Sequence, residues 1–328
     1  MTKDEFLGRK WGIFIHYLDA LQNNPNSVQS MGKSTSWDEC VNELNAEILA
    51  DQLSEIGAGY LIFTVMQGTR HMIAPNSAFD KLTGLPPGEG CATRDLIEDL
   101  YTALTKRNIC LFLYFTGDGP IRDPEIAVKL GAGIPVSEQF VRNWADILEE
   151  YVIRYGDKVK GWWLDGMYGE IGYKKDHLIK IICNTIKNNN REALISNNYY
   201  GCFKSGTSAL KDLEGIGDVI FADFYQSIAP ATPYCDFTAG EVVDFNAFPQ
   251  SRFIDGAQAH VLSFLGIPDR TVKVYEGWGR PGSKYTGEYM ARYVRQVNDL
   301  QGVVSIDVCM YRDGHIDATQ LEVLKDIK

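Results

Sequence analysis

AEILADQLSEIGAGYLIFTVM, residues 46–66, holds one complete structural unit. Its first half repeats apolar residues at helical spacing and closes on Gly57 and Gly59, residues expected past a helix C-terminus. Its second half, Tyr60 to Met66, is apolar almost throughout. A strand with one wet face would alternate. An unbroken run marks a strand buried on both faces, as in a parallel sheet wrapped by helices.

The unit recurs along the chain. WGIFIHY (11–17) comes first. ICLFLYF (109–115) follows TRDLIEDLYTALTKRN, where Thr93 and Asp95 mark a helix start. VKGWWLD (159–165) follows SEQFVRNWADILEEYVIRYGD, with Ser137 as N-cap. ALISNN (193–198), DVIFADF (218–224), HVLSFLG (260–266) and VVSIDVCM (303–310) complete a set of eight. Eight such units in 328 residues predict an α/β fold, a single (β/α)8 barrel of the TIM type spanning residues 1–328. An open doubly wound sheet is the rival, but no glycine-rich phosphate loop follows the first strand. Residues 225–258 carry no helical pattern and read as a long loop over the barrel mouth.

Bulk properties narrow the partners. Hydrophobic residues make up 45% and charged residues 23%, as in a soluble protein with a large core. The net charge of −11, with no local basic cluster, argues against nucleic acid. No apolar run reaches membrane-spanning length. Seven separated cysteines without a CxxC pair, and an N-terminus without an apolar signal region, point to a reducing, cytoplasmic setting. Five histidines with no HxH or HExxH spacing predict no metal site, and nothing points to a nucleotide cofactor. The oligomeric state has no signature in the sequence.

In such a barrel the active site sits at the C-terminal ends of the strands. The polar residues there are His16, Gln67, Asp118, Asp165, Asn197 with Asn198, Asp223 and Asp307. Tyr17, Trp162, Trp163, Tyr168, Tyr199 and Tyr225 surround them. Carboxylates among aromatics suit a carbohydrate, because aromatic faces pack on the C–H faces of sugar rings while polar groups hold the hydroxyls. A lone aspartate at a strand end more often caps the next helix. The convergence of many on one face carries the functional reading.

Several motifs in shared order resemble glycoside hydrolase family 29, the α-L-fucosidases. RKWGIFIHY is similar to their opening KFGIFIHWG, and GWWLDG to the WFDG whose aspartate is the nucleophile. TRDLIEDLYTALTKRNICLFLYF and the final VVSIDVCMYRDGHIDATQLEVLKDI resemble their third and last units, so the likeness runs from about residue 9 to the C-terminus. It implies a retaining glycosidase acting on an oligosaccharide or glycoside, with Asp165 as nucleophile and Gly166 leaving room for substrate. It leaves the general acid open among Asp223, Glu241 and Glu276. It assigns substrate binding to His16, Tyr17, Gln67, Trp163, Asn197, Tyr225 and Trp278. The departures are equally clear. The family's paired histidines after the second strand are Gln67 and Gly68 here, Tyr17 replaces a tryptophan, and no C-terminal β-sandwich follows the barrel. These changes imply a sugar pocket unlike that for plain α-L-fucose. The alternative is a carbohydrate-binding barrel without catalysis.

Overall fold

The computed structural model describes residues 1–199, 228–268 and 277–328, and the backbone of strands 203–210 and 219–224. Its main sheet has seven parallel strands in the order β10-β11-β1-β2-β3-β4-β5. These are β1 (Trp11–Ile15), β2 (Tyr60–Thr64), β3 (Cys110–Thr116), β4 (Val159–Asp165), β5 (Leu194–Asn197), β10 (His260–Phe264) and β11 (Val303–Val308). The chain order β1 to β5 around the sheet, with β11 back beside β1, is the progression of an α/β barrel. No β-sandwich follows β11 among the described residues.

The eighth position departs from the sequence reading. Residues 218–224 were expected in the barrel wall. Instead β7 (Val219–Phe224) pairs antiparallel with β6 (Phe203–Leu210) in a separate two-stranded sheet. The gap between β5 and β10 is bridged by residues 236–242, which the sequence placed in a loop. The Asp236 N–H donates to the Ile195 carbonyl at 2.6 Å on the β5 side. On the β10 side, the Leu262 N–H donates to Gly240 at 2.8 Å and the Val242 N–H to Leu262 at 2.9 Å. Phe237 and Glu241 form parallel bridges to Gln258 and Leu262. A short antiparallel pair, β8 (Phe253–Ile254) and β9 (Ala257–Gln258), precedes β10.

Strand periodicity sorts the side chains into two cores. Phe14, Ile62, Phe112, Tyr114, Trp163, Phe237 and Leu262 fill the barrel interior. Their neighbours, such as Ile13, Leu61, Leu113 and Trp162, face the helices. Those helices follow their sequence signals. Asn45 caps Ala46–Ile56, which ends on Gly57 at φ +79°, and Asp95 and Ser137 cap Leu96–Thr105 and Glu138–Tyr155. The bottom of the barrel is plugged by Phe6 of helix Lys3–Gly8, whose ring lies 5.2 Å from Tyr60, 5.3 Å from Phe112 and 5.0 Å from Phe237.

Large rings inside the barrel need gaps opposite them. Gly161 supplies one: a Cβ there would stand 2.3 Å from Phe112 Cε1. Gly161→Ala should therefore cost about 1–3 kcal/mol by overpacking, read by denaturant unfolding. Gly133→Ala, where a Cβ meets nothing within 4 Å, should shift stability by less than about 0.5 kcal/mol. Equal effects at the two sites would contradict this packing of the barrel interior.

Candidate active site

The ends of β1 to β4, the bridging segment 236–242, β10 and the loop after it surround one cavity of about 350 Å³. His16, Gln67, Trp163, Asp165, Glu241 and Trp278 all line it, as the sequence expected. Phe14, Leu262 and Leu21 supply an apolar wall.

Asp165 is the last residue of β4, and both of its carboxylate oxygens are engaged. Tyr114 donates to Oδ2 at 2.6 Å, while Tyr168 and Asn198 Nδ2 donate to Oδ1 at 2.8 and 3.0 Å. Tyr114 comes from β3, in register with Trp163 and stacked on it at 5.5 Å. Burial, and then the charge of Asp165, push the phenols of Tyr114 and Tyr168 well above the ordinary tyrosine value. Both are therefore fixed as donors toward Asp165.

Asn198 joins the two sides of the cavity. The same Nδ2 that reaches Asp165 also donates to Glu241 Oε2 at 2.5 Å. Two carboxylate oxygens on one nitrogen can be no farther apart than the two hydrogen bonds laid end to end. Glu241 reaches this point because residues 237, 239 and 241 turn inward along the bridging segment, Phe237 and Ala239 packing on the interior core.

His16 and Asp307 form a second pair at the mouth. Asp307 Oδ2 accepts from His16 Nδ1 at 2.7 Å, and Oδ1 accepts from the Gly279 N–H at 2.6 Å. Burial pushes the Asp307 carboxyl up from its ordinary value, and His16 pulls it back down. With Nδ1 held, the Nε2 edge of His16 is left for a ligand. Trp278 sits 5.7 Å from His16 and 4.9 Å from Phe264, and so adds an aromatic wall.

Several expectations are corrected. Tyr17 is buried on the helix side, packed on Trp37 and Phe63, with its hydroxyl donating to the Cys40 carbonyl. Asn197 also turns outward, where Thr232 donates to its Oδ1; its neighbour Asn198 enters the site. The strand parity at the end of β5 decides between them. Gly166, at φ +61°, makes room for Asp118 and Thr116 rather than for substrate: a Cβ there would lie 2.6 Å from Asp118 Oδ1. The side chain of Asp223, and Tyr225 and Glu276, lie outside the described residues.

Two further groups stand out. Arg122 also lines the cavity, though it lies six residues past the end of β3, beyond the strand-end positions that the sequence reading picked out. Asp118 accepts from Thr116 Oγ1, and burial, augmented by the nearby Asp165 charge, pushes its carboxyl up to about 7. No group of His, Cys, Asp and Glu among the described residues is arranged to hold a metal ion. No helix among them is long and apolar enough to cross a membrane.

No protein-family model matches the sequence, and no curated protein matches it. Solved structures share the fold. An endo-fucoidan hydrolase of glycoside hydrolase family 107 has a TM-score of 0.64 at 16% identity, over 97% of this chain and 89% of its own. A family 29 α-L-fucosidase from Bacteroides thetaiotaomicron has a TM-score of 0.62 at 14% identity, covering 99% and 72%. The α-L-fucosidase AlfC from Lactobacillus casei, bound to α-L-fucose product, has a TM-score of 0.60 at 16% identity, covering 99% and 96%. The chain thus has the barrel fold of these enzymes.

Proposed function

We propose that the protein is a retaining glycoside hydrolase, with Asp165 as nucleophile and Glu241 as general acid and base. One observation carries the reading: Asp165 and Glu241 share the Asn198 amide nitrogen. A retaining pair needs carboxyl groups about 5–5.5 Å apart, whereas an inverting pair stands about 6.5–9.5 Å apart to admit water. The likeness in fold to fucose-acting hydrolases supports the same reading.

In this mechanism Asp165 attacks the anomeric carbon as Glu241 protonates the departing glycosidic oxygen, and the C–O bond to the leaving group breaks. Glu241, now a carboxylate, takes a proton from water. The water oxygen bonds to the anomeric carbon and Asp165 is released. Tyr114 and Tyr168 hold Asp165 by charge-assisted hydrogen bonds in one orientation. Trp163 and Trp278 pack on the sugar ring, and His16 and Gln67 hold hydroxyls. Gln67 and Gly68 stand where two imidazoles would hold fucose hydroxyls, and an unpartnered buried hydroxyl costs about 1–3 kcal/mol. The preferred sugar is therefore not plain α-L-fucose. A barrel that binds carbohydrate without turnover is the second reading, favoured by the full engagement of both Asp165 oxygens.

Three outcomes are expected. On whichever aryl glycoside the wild type cleaves best in a panel, Asp165→Asn should lose turnover on the order of 10³-fold or more while melting like the wild type. Azide added to Asp165→Gly should restore turnover and give a glycosyl azide of inverted configuration. Near wild-type turnover of Asp165→Asn would remove it from the nucleophile's role, and an aryl α-L-fucoside as the best substrate would refute the altered pocket.

Glu241→Gln should spare substrates whose leaving group needs no proton and cripple those with a basic one. With azide it should give a glycosyl azide of retained configuration. Equal losses on both kinds of leaving group, with no azide product, would exclude Glu241 as acid and base.

The third outcome concerns Asp118. Its ordinary value is 3.8 and its folded value about 7. Between these the unfolded chain binds fewer protons than the native one, so this group's contribution to stability is lost as pH rises from about 4 to 7. The melting temperature of Asp118→Asn, less that of wild type, should climb across that window and then level off. A difference that stays flat would show that Asp118 ionises normally.

A further inference from the structure

Beside the two carboxylates, one cation lines the cavity among the described residues, and its guanidinium makes no hydrogen bond or ion pair with any of them. It is Arg122, exposed at the mouth. The electrostatic influence of Arg122 reaches Asp118, lowering its carboxyl. The neighbouring arginine behaves differently: Arg70 is fully committed to Asp123 and Glu125 at 2.6 and 2.7 Å.

The backbone holds Arg122 in place. Its N–H donates to the Gly68 carbonyl at 2.8 Å, and the next residue, Asp123, caps helix Pro124–Leu130 while accepting from Arg70. The side-chain stem fills space that glycine leaves open. Gly68 has φ +73°, and a Cβ on it would meet Arg122 Cδ at 3.0 Å. A side chain at 68 would crowd the Arg122 stem and require it to shift. Glycine at 68 thus leaves room for an arginine stem at the rim.

We propose that Arg122, admitted by Gly68 and set beside Gln67, forms a subsite for an anionic substituent on the saccharide, a sulfate ester or a carboxylate. This deepens the glycosidase reading and rests on it for the carbohydrate nature of the ligand. The electrostatic logic is direct. A chain of net charge −11 with a carboxylate nucleophile in the cavity repels an anionic sugar unless a local cation offsets it. Arginine also presents a planar fork that matches sulfate and carboxylate oxygens two at a time.

Binding by calorimetry on Asp165→Asn, which separates affinity from turnover, tests the subsite. The probes are a fucoidan oligosaccharide, its chemically desulfated counterpart, and a uronic-acid oligosaccharide with its carboxyl-reduced form. The expected result is at least tenfold tighter binding of one charged probe over its neutral form, lost in Asp165→Asn/Arg122→Met and weakened by salt. The pair showing the preference identifies sulfate or carboxylate. Gly68→His, which displaces the stem, should reduce the preference as well. Equal binding of charged and neutral probes, no binding of any probe, or a preference that survives Arg122→Met would overturn the proposal. A preference abolished by Arg122→Met in a protein that turns over no glycoside would sink the hydrolase reading and leave the subsite standing.

Discussion

The site depends on how the barrel closes. Seven strands pair regularly, but β5 and β10 do not meet, and residues 236–242 bridge them with hydrogen bonds to both sides. Asp236 anchors this seam: its Oδ2 accepts from the Ile195 N–H at 2.9 Å and from Lys187 Nζ at 2.6 Å. A side chain thus replaces part of a backbone ladder. Unpaired strand edges facing a core would leave buried N–H and C=O groups without partners, at a cost of about 1–3 kcal/mol each. Sealing the wall in this way also fixes the register of Glu241, four residues past Phe237 in the barrel floor.

That closure brings two carboxyl groups together and places neutral donors between them. Asp165 and Glu241 lie on opposite sides of Asn198, whose amide donates to both. Tyr114 and Tyr168 add two phenolic donors on the Asp165 side. An amide and two phenols donate to the Asp165 carboxyl without introducing a permanent positive charge, and so fix its orientation. The His16–Asp307 pair stands on the facing wall, its members joined at 2.7 Å. Among the described residues that line the cavity, Arg122 brings a positive charge with no ion-pair partner, which is why it bears on the choice of ligand.

Much of the fold was legible because burial on both faces leaves a continuous apolar signature. The runs ending near Ile15, Thr64, Thr116, Asp165, Asn197, Phe264 and Val308 read correctly as barrel strands. The eighth did not. DVIFADF is as apolar as a barrel strand, yet β7 pairs antiparallel with β6. DFTAGEV, the segment in the wall, contains Thr, Gly and Glu, and its backbone partners are partly a side chain. Asn197 and Asn198 are chemically identical, and only the direction in which the chain leaves β5 separates the outward residue from the inward one. Tyr17 follows His16 directly in sequence, yet alternation sends it to the opposite face.

The sequence by itself determined the strand and helix rhythm, the parallel barrel, and the strand-end positions of His16, Gln67 and Asp165. Periodicity and capping are local properties, written into neighbouring residues. Only the tertiary structure decided which segment closed the wall, that Glu241 met Asp165 through Asn198, that Gly166 made room for Asp118, and that Arg122 took the space left by Gly68. Each of these joins residues far apart in the chain. Their distances are set by the curvature and register of the whole barrel, which no local pattern encodes.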